Sequence, residues 1–389
     1  MIIKEDKWSA FGHYQIDTVK DPVYSMRIAH EHMLQGHKVH FNFHDKLLGS
    51  ARTNVEPKWS LDELYSRRIA QLRKKYDYLV LLYSGGADSH NILKYFQHTD
   101  TKLDEIVSYD DSSYRGKTSP ISSEVFGVAL PEVQQHLLNY PDTIFRQISL
   151  RDVQQKLFTD QTFGFDVYKD ITYNMQPIGI KHAYGLCYVD HYKKLHDSGL
   201  KIGVIHGIDK PKLAIDPIGK WMMYFNDWSS QFGHKHYYRN FPFYDEFFYW
   251  TPDDPWIAIK QAHLVSAHLD YLDSIKFNSD YRMDQRANVL PRKSGIGINW
   301  EWVHHVIYPF WNRDTYSAGK NAENFIASNR DPTLSNFNDE MLSPYKKSVD
   351  AAMQLASKVS PFRVKHITDR DDDTIIGVAP FRSMYHPIE

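Results

Sequence analysis

Six consecutive residues, Ser84-Gly85-Gly86-Ala87-Asp88-Ser89, have the types and order of an anion cradle. Two glycines remove the Cβ atoms that would hold a backbone away from a phosphate. The hydroxyls of Ser84 and Ser89 can donate to phosphate oxygens. Asp88 repels a bare phosphate, so its presence implies a divalent cation between carboxylate and phosphates, and an oxygen-only environment suits Mg²⁺. The setting strengthens this reading. An apolar strand, Tyr78 to Tyr83, runs directly into the loop, and a helix pattern, Asn91 to Phe96, follows it. A helix N-terminus directs its first N–H groups and the positive end of its dipole at a ligand. The plain alternative is a glycine turn that only joins a strand to a helix.

The surrounding chain has the alternation of a parallel α/β domain. Ser60 with Glu63 forms a capping-box start for a helix reaching about Lys75. Further strands are expected at 103–109, 143–148 and 201–206, with a helix over 121–138 interrupted by Pro131 and a helical stretch over about 178–195. Ligands of open parallel sheets bind at the carboxyl ends of the strands. That rule selects the loops after Tyr83, Tyr109, Ile148 and His206. After Tyr109 come Asp110, Asp111, Ser112 and Ser113, which read equally well as a turn and helix cap. After His206 comes Gly207-Ile208-Asp209-Lys210-Pro211-Lys212, whose plain alternative is a surface turn.

Ser-Gly-Gly-x-Asp-Ser in a strand-turn-helix setting resembles the phosphate loop of the PP-loop ATP pyrophosphatase superfamily. The resemblance implies a Rossmann-like parallel sheet of the adenine nucleotide alpha hydrolase-like (HUP) kind. It also implies cleavage of ATP to AMP and pyrophosphate, with a substrate oxygen adenylated before a nucleophile displaces AMP. ATP and Mg²⁺ are the implied cofactors, held by Ser84, Gly85, Gly86, Ala87, Asp88 and Ser89, with Tyr109 and Asp110 bordering adenine and ribose and Asp88 on the metal. Lys210 is then expected to neutralise charge on the leaving pyrophosphate or on the adenylated oxygen. Asp209 is expected to hold a second Mg²⁺ or to orient an incoming amine. Ser122-Ser123-Glu124 resembles the Asn-x-Glu start that some relatives show on the following helix, with Ser in place of Asn; Glu124 reads equally as a first-turn acid on the dipole. Gly116-Lys117-Thr118 looks like the end of a Walker A motif, but Asp111 stands where its first Gly belongs.

Cysteine usage narrows the reading. The 389-residue chain has one Cys, Cys187, so no intrachain disulfide forms and a reducing, cytoplasmic setting is expected. Thiolating relatives use cysteine pairs, and nitrile-forming ones a four-Cys zinc site. A glutamine-hydrolysing domain of the asparagine synthetase type has Cys after the initiator Met, where this chain has Ile2. Cys187 reads as a small buried hydrophobe. The chain thus most resembles stand-alone asparagine-synthetase-like domains without a glutaminase, many of them phage-encoded; phage origin would place it in the host cytoplasm. The expected activity is C–N ligation. A carboxylate or amide oxygen of a small-molecule or nucleotide substrate is activated for attack by an amine or ammonia, which a separate donor protein can supply. Two rival readings stand beside it: a sulfonucleotide or sulfur-transfer relative, and a non-catalytic nucleotide-binding interaction protein.

Charge excludes other classes. Lys plus Arg is 46 and Asp plus Glu 48, giving a formal −2 without the basic footprint of a duplex nucleic-acid binder. No apolar run approaches the roughly 18 residues of a membrane span, and the N-terminus lacks an apolar signal core. Three regions are expected: an N-terminal extension over 1–58, a PP-loop domain over 59–226, and a mostly helical, aromatic-rich region over 227–389 for substrate, lid or partner contact. Within the first, 26–34 reads as a short helix and 38–44 as a strand carrying His40 and His44 on one face. Within the last, 232–250 reads as an aromatic loop and 255–275 as a helix, after a hairpin over 213–225. His263 and His268, and the adjacent His304 and His305, are spaced wrongly for a shared metal. The acidic run Asp369 to Asp373 reads as a solvated turn or, more sharply, a cation cluster.

Overall fold

A computed structural model describes residues 12–110, 124–149, 188–207, 210–227, 241–274, 303–310 and 381–388, with shorter pieces between them. Asp209, Asp111, Ser122, Ser123, Cys187, the Gly116-Lys117-Thr118 segment and the Asp369–Asp373 run lie outside the described residues.

The protein is α/β. Its centre is a five-stranded sheet in which every pairing is parallel. The strands are β4 (Tyr78–Leu82), β5 (Glu105–Asp110), β6 (Ile144–Ser149), β7 (Ile202–His206) and β10 (Phe243–Phe247). Their spatial order is β10-β7-β4-β5-β6. The first strand in sequence is thus central. The next two extend to one side and the last two to the other, an arrangement compatible with a Rossmann-like fold. The order reverses between β4 and β7, which pair from Tyr78 opposite Ile202 to Leu81 opposite Ile205.

Helices cover both faces. α3 (Leu61–Lys75) starts at Ser60, whose hydroxyl accepts from the Glu63 N–H while the Glu63 carboxylate accepts from the Ser60 N–H. Its Arg68 donates to Glu246 of β10 at 2.8 Å, and its Arg73 to Asp104, just before β5, at 2.6 Å. α6 (Val189–Asp197) lies on the opposite face, where the Tyr192 hydroxyl donates to Glu105. Alternate strand residues point to alternate faces, so adjacent acids serve different helices. Both Glu105 and Glu246 are buried. Arg146 and Tyr78 satisfy the first; Arg68, Lys75 and Tyr76 satisfy the second.

The N-terminal segment packs onto the rest of the chain. β1 (His13–Ile16), β2 (Val19–Val23) and β3 (Val39–Asn42) form an antiparallel sheet, joined by α1 (Met26–Leu34) and followed by α2 (Asp45–Ser50). β8 (Lys212–Ile215) and β9 (Trp221–Tyr224) form the expected hairpin, which the short strand His386–Pro387 extends. Phe43 meets Phe225 at 4.4 Å and Trp250 at 5.0 Å between ring centroids. The Tyr14 hydroxyl donates to Asp227 at 2.5 Å. α7 (Trp256–Ser274) and the short α8 (His304–Ile307) complete the part of the fold that bears on the site, and no helix among the described residues is long and apolar enough to cross a membrane.

Several expectations are corrected. Part of the stretch expected as an aromatic loop, 232–250, is β10, an edge strand of the central sheet. The sheet therefore takes a strand from beyond position 226. Of the stretch expected as a helix interrupted by Pro131 over 121–138, the described part is a π-helical turn, Val125–Ala129, running into α5 (Leu130–Asn139), and the irregular turn sits just ahead of Pro131. Of the helical stretch expected over about 178–195, residues 178–187 lie outside the described residues and α6 covers the remainder from Val189. His44 does not share a strand face with His40, because β3 ends at Asn42 and His44 turns the chain at φ 57°.

Gly203 on β7 tests the packing of the sheet against Tyr76. A Cβ there would lie 2.6 Å from the Tyr76 ring, whose hydroxyl is anchored on Glu246. Gly203→Ala is expected to destabilise the protein by about 1–3 kcal/mol, the scale of core overpacking, as read by chemical denaturation.

Candidate functional site

The Ser84–Ser89 loop leaves β4 and enters α4 (Ala87–His98), which starts four residues earlier than its apolar pattern suggests. Hydrogen bonds across β4 and β5 fix the strand end: the Tyr83 N–H donates to Val107 at 2.8 Å, and the Ser108 hydroxyl to the Tyr83 carbonyl at 2.7 Å. Gly85 has φ +81°, the left-handed region that favours glycine. A Cβ on it would lie 2.6 Å from the Glu124 carbonyl. Ser84 and Ser89 bind each other, with Ser89 Oγ 3.2 Å from both the N–H and the Oγ of Ser84. Gly86 caps α4 without a side-chain hydrogen bond. The His90 N–H, donating to Gly86, makes the first intrahelical bond, so the N–H groups of Ala87, Asp88 and Ser89 precede it.

The loop after β7 comes against this helix start. A Cβ on Gly207 would lie 3.1 Å from the Ser89 nitrogen. Three residues on, the Lys210 ammonium donates to Asp88 Oδ1 at 2.6 Å. Two residues chosen separately from the sequence, 122 positions apart, thus form an ion pair at the reversal of strand order. Glu124, buried, lies on the other side of the loop through its carbonyl.

A third contribution has no signal in the local sequence. Tyr308, just after α8, donates to the same Asp88 Oδ1 at 2.5 Å, and Tyr249, just after β10, donates to the Asp88 backbone carbonyl at 2.6 Å. The Lys210 ammonium also sits 5.2 Å above the Tyr308 ring. Burial first, and then the Asp88 charge, raises the Tyr308 pKa; burial first, and then Tyr65 and Asp88, raises that of Tyr249. Both phenols stay protonated and act as donors. Burial first, and then the Lys210 charge, pushes His304 down to about 4, so its imidazole is neutral near neutral pH.

Asp88 is therefore not a free surface-loop carboxylate. The atoms crowded around it would raise its pKa, but Lys210 first, with hydrogen bonds from Lys210 and Tyr308, holds it below the ordinary 3.8. Its side chain still keeps 37% of its surface open, and Oδ2 has no hydrogen-bond partner among the described residues. Among those residues no group of three or more His, Cys, Asp or Glu comes together to hold a metal. Mg²⁺ arriving with a nucleotide needs only one or two carboxylates plus the phosphates, and Asp88 Oδ2 offers one such oxygen.

The other expected ligands are differently placed. Asp110 is buried with both oxygens engaged, Oδ1 by the N–H and hydroxyl of Ser112 and Oδ2 by Gln147. The turn-and-cap alternative describes it well. Tyr109 is buried at the end of β5. Sequence reasoning missed His206, the last residue of β7, which shares a buried 2.6 Å hydrogen bond with Asp245 beside Gly207. The only sequence cue was its position next to the loop. His40 binds Asp45 at 2.6 Å, and the His268 and His305 rings meet edge to face at 5.0 Å.

No protein-family model matches the chain, and no curated protein matches it.

The depressed Asp88 pKa carries a signed consequence. Such a group stabilises the fold above its unfolded pKa and loses that contribution as pH falls through the folded value. Asp88→Asn is expected to lower the melting temperature at pH 7. The gap to wild type should begin to narrow as pH falls below the ordinary 3.8. Paired thermal melts between pH 7 and the acid limit of folding check this.

Proposed function

We propose that the protein is an ATP-dependent adenylating enzyme of the PP-loop ATP pyrophosphatase kind. It cleaves ATP to AMP and pyrophosphate, and activates a carboxylate or amide oxygen for attack by an amine or ammonia. The observation that carries this is the convergence at the β4–β7 reversal: a glycine loop at a helix N-terminus, with a lysine and an aspartate in contact beside it. Assignment of the sheet to the adenine nucleotide alpha hydrolase-like group belongs to the same proposal.

The residues suit nucleotide phosphates. Gly85 leaves open the space a Cβ would close, and the first-turn N–H groups of α4 supply donors with the positive end of the dipole. Asp88 would hold Mg²⁺ brought with the nucleotide, and the cation would supply neutralisation of phosphate charge. An ammonium has three N–H donors, so Lys210 can keep Asp88 and still meet an oxygen on which negative charge develops. In many enzymes, charge stabilisation of that kind in a partly dry site lowers the barrier more than any other single effect. The neutral His304 imidazole adds no positive charge to compete with Lys210.

The test follows the nucleotide product. Purified protein with Mg²⁺, α-labelled ATP and a cell metabolite extract is expected to accumulate AMP in an extract-dependent way, with pyrophosphate as co-product. ADP as the product contradicts the proposal. Lys210→Met should lower the rate of AMP formation by about 10²–10³-fold, the scale for losing one preorganised electrostatic donor.

A further inference from the structure

Tyr308 is fixed from behind. The preceding residue, Ile307, is buried, and its carbonyl accepts from the Tyr65 hydroxyl of α3 at 2.7 Å. Tyr65 in turn accepts from the Gln261 amide of α7 at 2.8 Å. The Tyr308 N–H closes α8 on the His304 carbonyl at 2.8 Å, and the Tyr249 ring packs 5.5 Å away. The phenol therefore reaches Asp88 from a segment tied to two long helices, α3 and α7. Its hydroxyl and the Lys210 ammonium both use Oδ1.

We infer that Tyr308 is a positioning residue for the nucleotide site. By holding Oδ1 it fixes the carboxylate plane and leaves Oδ2 as the oxygen available to a cation carried on a nucleotide. The inference rests on the adenylation reading above and adds to it a role for the part of the chain beyond α7. Tyr308 touches neither phosphate nor cation; it acts through Asp88.

Calorimetric titration of the full chain with ATP, once in Mg²⁺ and once in EDTA, separates the cation-dependent part of binding from the rest. Tyr308→Phe is expected to lower the ratio of the two affinities by about tenfold, the scale of one hydrogen bond to a charged group, with metal-free affinity unchanged. In an Asp88→Asn background, Tyr308→Phe should add no further change, because the carboxylate it positions is gone. An unchanged ratio in Tyr308→Phe, or an additive effect on Asp88→Asn, overturns the positioning role. A wild-type chain that binds ATP under neither condition overturns the adenylation reading itself, and the positioning role with it.

Discussion

The lateral pairing of β4 with β7 is the constraint on which the site depends. Parallel strands that pair directly end on the same edge of the sheet, so the turns leaving them are forced side by side. Here one turn becomes the start of α4, and the other passes within van der Waals contact of it at Gly207. Neither loop makes this arrangement alone. The first supplies helix N–H groups and a carboxylate; the second supplies the ammonium that keeps the carboxylate charged. Strand order reverses at this point, the place where open parallel sheets of this kind take their ligands.

Charge is handled consistently through the central sheet. Glu105, Asp245 and Glu246 are buried acids on strands, and each meets a cation or a histidine. An unpaired buried charge would be strongly destabilising, whereas a paired one costs little net. Asp88 follows the same rule at the carboxyl edge, with one difference: one oxygen is satisfied and its side chain stays partly open. The pairs within the sheet link it to its helices. The pair at the edge leaves one carboxylate oxygen without a hydrogen-bond partner among the described residues.

Local features were legible in the sequence. The run 78–98 declares strand, turn and helix through consecutive residues, and Ser60 with Glu63 marks the start of α3. Lys210 followed from a rule about strand ends once 201–206 was read as a strand. The fifth strand was not legible: Phe243-Tyr244-Asp245-Glu246-Phe247 carries two acids in its middle, which breaks an apolar run. Those acids are acceptable only because Arg68 and His206 wait for them across the fold. The same holds for Tyr249 and Tyr308, whose bonds to Asp88 span 161 and 220 positions. At Asp110 the acid expected at the strand end is present, with Ser112 and Gln147 bonded to its oxygens.

The central claim is that the loop from Ser84 to Ser89 receives a nucleotide phosphate through its backbone, and Gly85 tests it most directly. Gly85→Ala forces a side chain into a left-handed backbone position and against the Glu124 carbonyl, without changing any charge. ATP affinity of the variant, measured by calorimetry alongside a circular dichroism check of folding, should fall by about tenfold or more, since left-handed strain alone costs about 1–2 kcal/mol. A folded variant that binds ATP as well as the wild type does would contradict the account.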